Sequence, residues 1–163
     1  MPTALQMAAG NPALLAAVRR SRKILNRRAL VAAAASAVPI PGLDWAVDAA
    51  LLSRLVPEIN TEFGLTPEQL DRLTPNKREQ IQKATAMVGS VLIGKFITRD
   101  LVIKAAQTIG VRLTAKQAAK YVPLAGQAVS ALMGYAAIRY LGEEHLKDCV
   151  QVAKVAGLLP PPP

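Results

Sequence analysis

Apolar residues recur at helical intervals along most of the chain, and the breaks between them carry helix-start and helix-stop residues. Asn11 precedes a proline at the first helical position, which predicts a helix over residues 12–37. Two prolines within residues 38–42 exclude helix there. A second helix is predicted over residues 44–63, with Gly64 supplying the left-handed conformation that ends it.

Similar start signals continue towards the C-terminus. Thr66 and Thr114 each open a capping box, and Thr74 precedes another proline. These signals predict helices over residues 67–73, 75–109, 115–121 and 123–156, with weak points at the glycines inside them. The sequence has no alternating run flanked by hairpin turns. We therefore predict an all-α fold, a compact helical bundle of five to seven helices.

A short repeat suggests how these helices are organised. The pattern V-P-x-x-G occurs at residues 38–42 and again at 122–126, which is compatible with two pseudo-repeated helical hairpins. We expect a flexible N-terminus over residues 1–11, a single helical domain over 12–157 and a Pro-rich tail over 158–163. Four consecutive prolines cannot continue a helix, so we expect this tail to be solvated.

Composition narrows the class of protein. Hydrophobic residues make up 52% of the 163 positions, which excludes an intrinsically disordered chain. Lys and Arg number 20 against 11 Asp and Glu, so the net charge is +9 and anionic partners are favoured. The single cysteine, Cys149, excludes an internal disulfide framework and a cysteine-built zinc site.

Two groups of residues are similar to reactive sites but lack essential parts. Residues 89–95 match the glycines and lysine of a phosphate-binding loop, but Phe96 replaces the hydroxyl that magnesium needs. His145 and Cys149 share a helix face, yet no further metal ligands or second histidine accompany them. We interpret these two residues as part of an exposed polar turn. We therefore expect no enzyme, no catalytic or metal-binding residue and no cofactor.

A basic patch lies within the first long helix. Its six members fall within ten residues: Arg19, Arg20, Arg22, Lys23, Arg27 and Arg28. Helical spacing places Arg19, Lys23 and Arg27 on one stripe. Such a patch suits an anionic membrane surface or a protein partner. Nucleic acid is disfavoured, because aromatic residues make up only 4% of the chain and no recognition helix is evident.

In a different interpretation, acidic residues of the same chain neutralise the basic patch. Residues 44–79 carry seven acids and four basic groups, whereas residues 1–28 carry six basic groups and no acid. The acidic segment would then pack beside the basic one and partly cancel its field. The sequence leaves both interpretations open.

Two stretches without charge, residues 29–43 and 121–138, are apolar but interrupted by prolines. Spanning a bilayer takes about 20 apolar residues, so both are short for that role. Their turns supply the candidate hairpin tips Pro39, Pro41, Gly42, Pro123 and Gly126. Gly126, Ser130 and Gly134 follow at four-residue intervals, a spacing that permits close helix packing. The stretches are buried either by lipid, as re-entrant or interfacial hairpins, or by protein in a tight bundle.

Short motifs in both halves of the chain carry a resemblance. They are Val38-Pro39-Ile40-Pro41-Gly42, Glu62-Phe63-Gly64-Leu65, Val122-Pro123-Leu124-Ala125-Gly126 and Arg139-Tyr140-Leu141-Gly142. Over residues 25–155 the chain resembles the helical domain of immunity-related GTPases, and a related uncharacterised bacterial family of GTPase-associated, membrane-linked helical proteins. The resemblance implies a helical domain that associates with membranes or with a GTPase. Because the chain has no GTPase domain, GTP hydrolysis is not implied.

These observations favour a non-enzymatic, membrane-associated helical module. Its basic N-terminal helix would meet anionic lipid while its apolar hairpins insert or pack. The alternative is a soluble helical interaction module, either a homo-oligomer or a partner of a separate GTPase. The first ten residues lack the positive segment of a secretory signal. We therefore expect a cytoplasmic protein, peripheral or re-entrant at the inner face of the membrane.

Overall fold

The structure, a computed structural model, describes residues 1–36, 43–95, 98, 100–101, 104 and 126–162. Within these ranges the chain contains helices and no strands, and five of the helices pack together, which confirms the all-α prediction. The helices are α1 (Ala4–Met7), α2 (Pro12–Ser36), α3 (Leu43–Phe63), α4 (Pro67–Asp71), α5 (Pro75–Val88) and α6 (Gly126–Val155).

The starts of several helices follow directly from local sequence. Asn11 accepts a hydrogen bond from the backbone N–H of Leu14 at 3.1 Å and so caps α2. Thr66 and Gln69 form the predicted capping box at α4, each accepting from the other's backbone at 3.2 Å. Thr74 caps α5 without a capping box, since its side-chain oxygen accepts the backbone N–H of Lys77 at 3.4 Å. These predictions are confirmed because capping involves only neighbouring residues.

The end of α5 differs from the prediction of one helix over residues 75–109. The helix ends at Val88, and Gly89 follows with a φ of +76°. Gly94 also has a positive φ, and its N–H donates to the Leu65 carbonyl at 3.1 Å. Two left-handed glycines therefore turn the chain back towards the end of α3. The helix predicted over residues 115–121 lies outside the described residues.

Helix α2 lies at the centre of the bundle, because it packs against α1, α3 and α6. It runs antiparallel to both α3 and α6. Its ion pairs with Glu62 and Glu58 run in reverse order along α3, and the same holds for its contacts with Glu143 and Arg139 on α6. The helices enclose one apolar core. Its largest fully buried side chains are Phe63, Leu14, Leu25, Leu55, Ile59, Leu65, Ile81, Ile138 and Leu146.

Both ends of the chain have contacts that the sequence analysis did not anticipate. Residues 1–11, expected to be a flexible N-terminus, contain α1, whose Ala4 is fully buried, as is Ala8 just after it. The tail, expected to be solvated, has Pro160 buried, and the Pro161 carbonyl accepts from the Arg20 guanidinium at 3.3 Å. Small apolar side chains at both ends fit against the bundle, and burying them favours these docked positions.

Candidate functional site

The structure divides the predicted basic patch into two sets of three. Arg20 and Arg28 form ion pairs with Glu62 and Glu58 of α3. Arg22 pairs with Glu143 of α6, with its Nη2 2.8 Å from Oε1 and its Nε 3.2 Å from Oε2. Half of the patch is thus neutralised internally by the partly buried carboxylates of neighbouring helices, two of them in the acidic segment.

Glu143 joins three helices at one carboxylate. In addition to Arg22 of α2, it accepts the backbone N–H of Ala4 at the start of α1 at 3.0 Å. Burial by itself raises the pKa of Glu143, but the bonds from Arg22 and Ala4 and the nearby charge of Arg139 lower it overall. The charge of Arg22 is therefore neutralised by Glu143 within the fold.

The other three cations, Arg19, Lys23 and Arg27, lie on the exposed face of α2. They stand one turn apart, so the stripe is about 12 Å long. Within the described part of the chain, no carboxylate pairs with any of the three. These side chains form the free basic stripe, and this name is kept below for Arg19, Lys23 and Arg27.

Four large apolar side chains are exposed close to this stripe. Leu30 and Val31 follow Arg27 on α2, while Leu132 and Tyr140 lie on α6. None of the four is among the predicted site residues. A signal was present, since Leu30 is three residues after Arg27 and so continues the stripe at helical spacing.

One of the five predicted hairpin tips, Gly126, lies within the described residues. Pro39, Pro41, Gly42 and Pro123 lie outside the described residues, whereas Gly126 is the first residue of α6. Gly126, Ser130 and Gly134 share α6 at the expected spacing. The close helix approach that the structure does describe is at Gly142, against Leu25 of α2.

A buried polar cluster links α3 to α6. His145 Nε2 lies 2.8 Å from Asn60 Oδ1, and the Asn60 amide donates to the Leu92 carbonyl at 3.0 Å. Cys149 Sγ is 3.7 Å from Asn60 Oδ1 and 3.6 Å from His145 Nε2. Because the amide nitrogen of Asn60 is bound to a carbonyl, its oxygen faces His145 and accepts the proton on Nε2.

Burial sets the chemistry of this cluster. Desolvation lowers the pKa of His145 to about 4 and raises that of Cys149 well above its ordinary value. At neutral pH the pair is an imidazole and a thiol, not the imidazolium and thiolate that a cysteine nucleophile requires. This arrangement supports a structural role, as a hydrogen-bonded link between α3, α6 and the turn at Leu92.

The location of this cluster corrects our interpretation of His145 and Cys149 as an exposed polar turn. Both residues are buried within α6, since they lie on the face that packs against α3. Sequence spacing showed that they share a face but not which way it points. Among the described residues, no group of three or more His, Cys, Asp or Glu side chains is placed to hold a metal ion.

None of the helices within the described ranges combines the length and the apolar character needed to cross a bilayer. Comparison of the chain with protein-family models, with curated proteins and with solved structures finds no match. The resemblance to the helical domain of immunity-related GTPases therefore stays a prediction.

Proposed function

We propose that this protein is a non-enzymatic helical module that binds anionic membrane surfaces peripherally, through the free basic stripe of α2. The observation that carries the proposal is the division of the basic patch. Arg20, Arg22 and Arg28 are paired inside the fold, but Arg19, Lys23 and Arg27 are exposed without a described carboxylate partner. Three cations on one face of α2 are therefore available to an external anion.

The number of free cations sets the expected strength of this contact. A basic side chain near an anionic membrane contributes about 1 kcal/mol, so the stripe supplies about 3 kcal/mol, on the order of a hundredfold in partitioning. The protein's net charge of +9 adds long-range attraction. Because surface charges are screened by salt, this part of the binding is expected to weaken as ionic strength rises.

The test is flotation of purified protein with vesicles of phosphatidylcholine, with and without phosphatidylserine, at low and high salt. Wild-type protein should float with anionic vesicles at low salt. Changing the stripe to glutamine, in Arg19→Gln/Lys23→Gln/Arg27→Gln, should lower the partition coefficient on the order of 100-fold. Circular dichroism checks that the variant is folded, which is expected because none of these side chains pairs within the described fold.

A matched control removes the same charge elsewhere. Arg72→Gln/Lys95→Gln/Lys154→Gln changes three exposed cations on other parts of the bundle. This variant should keep most of the vesicle binding if the stripe is the contact. Equal loss in both variants would show that only the total charge matters and would contradict a defined binding face.

Absence of flotation with any vesicle would overturn the proposal. The protein would then fit better as a soluble helical interaction module, a homo-oligomer or a partner of a separate GTPase. Its oligomeric state, measured by light scattering without detergent, would distinguish self-association from a need for another protein.

A further inference from the structure

The exposed apolar side chains of α2 and α6 form a patch beside the free basic stripe. Leu30 is 63% exposed, Leu132 67%, Val31 48% and Tyr140 47%. Large apolar side chains on the surface of a bundle otherwise rich in buried leucine indicate a contact surface when they are contiguous. Whether these four side chains are contiguous depends on their relative positions on the two helices.

Contacts between α2 and α6 fix the register. The Asn26 side chain accepts a hydrogen bond from Arg139, and Arg22 binds Glu143. The residue numbers in each contact add up to 165, as expected for two antiparallel helices in fixed register. By this register, residues 30–34 of α2 lie beside residues 131–135 of α6.

At this end of the bundle, α2 and α6 each expose apolar side chains on the face that points away from the core. On α2, Ala29 and Ala32 are buried while Leu30 and Val31 are exposed. On α6, Ile138 is buried while Leu132, Ala136 and Tyr140, which share one stripe, are exposed. Leu30, Val31 and Leu132 therefore lie at the same end of the bundle, with Arg27 beside them on α2. Tyr140 continues the α6 stripe about two turns further on, level with the free basic stripe.

We infer that this apolar patch, Leu30, Val31, Leu132 and Tyr140, enters the interfacial region of an anionic bilayer while the free basic stripe contacts the lipid head groups. The inference rests on the proposed function and deepens it. It orients the bundle, with the α2–α6 face on the membrane and α5 away from it. Burial of apolar side chains beside cations is the arrangement that interfacial helices use.

The positive charge of this face favours an anionic lipid bilayer over a second copy of this chain as its partner. A symmetric dimer through this face would bring two free basic stripes together, and the net charge of +9 on each copy would add to the repulsion. An anionic bilayer offers both missing partners, negative head groups for the stripe and an apolar phase for the patch. A nucleic acid or an acidic peptide would satisfy the cations alone.

Fluorescent labels on single introduced cysteines test this orientation. Cys149 is fully buried, so it should not react with the dye. Wild-type protein treated with the dye in the same way serves as the blank. The variants Leu30→Cys and Leu132→Cys place an environment-sensitive dye in the patch. Met87→Cys, at a position 78% exposed on α5, is the matched control. Vesicles of phosphatidylcholine with phosphatidylserine are then added to each.

We expect the emission of the dye at positions 30 and 132 to move to shorter wavelength on these vesicles, with no shift at position 87. A second variant, Leu30→Ser/Leu132→Ser, should bind at low salt but lose the fraction of binding that survives high salt in the wild type. Both substituted side chains are largely exposed, so the variant is expected to fold.

The outcomes separate this inference from the proposed function. Flotation without any spectral shift in the patch would leave the proposed function standing and overturn the insertion of these residues. A shift without vesicles that grows with protein concentration would identify a dimer interface, which also overturns the inference. Equal shifts at positions 30, 132 and 87 would contradict the orientation. Absence of flotation would remove both.

Discussion

Leu25 of α2 and Gly142 of α6 pack so closely that residue 142 has no room for a side chain. A Cβ built on Gly142 would overlap Leu25 Cδ1 and would lie 3.0 Å from Cδ2 and 3.2 Å from Cγ. Leu25 is fully buried in the core, so it has little freedom to move away. This contact sets the separation of the two helices whose outer face carries the proposed membrane contact.

The substitution Gly142→Ala should therefore destabilise the protein. Alanine would favour the helix by about 1 kcal/mol, but overpacking in a core costs typically about 1–3 kcal/mol, and here the contact is with a fully buried side chain. The difference is a net loss of up to about 2 kcal/mol in the free energy of unfolding. Urea denaturation followed by circular dichroism measures it.

A double-mutant cycle identifies the cause of that loss. Leu25→Ala alone should cost about 2–5 kcal/mol, because it leaves a cavity in the core. In Leu25→Ala/Gly142→Ala the overlap is removed, so the combined loss should be smaller than the sum of the two. Strict additivity would mean that Gly142 matters for some reason other than its contact with Leu25.

Asn60 should be important for stability because it satisfies two buried groups. Asn60→Ala would leave His145 Nε2 and the Leu92 carbonyl without their partner. A fully buried polar group without a partner costs about 1–3 kcal/mol, and the bond to the Leu92 carbonyl is only partly buried, so we expect a loss of about 2–4 kcal/mol in the free energy of unfolding. Thermal unfolding of this variant, compared with Asn76→Ala at an exposed position, measures the difference. A loss no larger than that of the control would show that water replaces the amide.

His145 should make the fold sensitive to acid. Burial lowers its folded pKa to about 4 from an ordinary value of 6.5. Between these values the unfolded chain binds more protons than the folded one, so stability from this group falls as pH falls from 6.5 to 4. His145→Gln should remove this contribution, so the stability of the variant relative to the wild type should rise as pH falls from 6.5 to 4. An unchanged slope between pH 4 and 6.5 would contradict the assignment.

Asp148 should act in the opposite direction over nearly the same range. Burial, helped by the neighbouring Glu144 carboxylate, raises its pKa from 3.8 to about 6 against the opposing effects of Ser90 and Lys147. The folded state then holds the extra proton, so stability from this group is lost as pH rises from 3.8 to 6. Asp148→Asn should therefore raise the free energy of unfolding at pH 7 by about 1–2 kcal/mol, allowing for solvent screening, with little gain at pH 3.

The two groups together give a sharper expectation. In the wild type the opposite slopes of His145 and Asp148 partly cancel between pH 4 and 6. Asp148→Asn should expose the slope of His145, so its stability should depend more steeply on pH in that window than that of the wild type. A shallower profile in this variant would show that the two groups do not titrate as proposed.

Glu143 should hold the N-terminal helix in place. Glu143→Gln retains a side-chain oxygen for Ala4 but weakens the charged bond to Arg22, and we expect a loss of about 1–2 kcal/mol. Amide hydrogen exchange should become faster at residues 4–8 than in the wild type. Glu79→Gln, which affects only an exposed pair with Lys83, is the control and should leave this exchange unchanged. Unaltered protection in Glu143→Gln would show that apolar contacts alone hold α1.

Local features of this protein were predictable because their causes lie within a few residues. Asn11, Thr66 and Thr74 cap the helices they were expected to cap, and Gly64 has the positive φ predicted after α3. Each of these features depends on a side chain reaching its neighbouring backbone, or on a glycine permitting a left-handed turn. The all-α class followed from the same signals repeated along the chain.

Features that depend on distant parts of the chain were predicted less well. The six cations of α2 are equivalent by composition, and only Glu58, Glu62 and Glu143 on other helices separate the paired three from the free three. Helical spacing likewise put His145 beside Cys149 but did not show that this face meets Asn60. Sequence spacing fixes which residues share a face of a helix, whereas the direction of that face follows from how apolar surfaces from several helices are buried together.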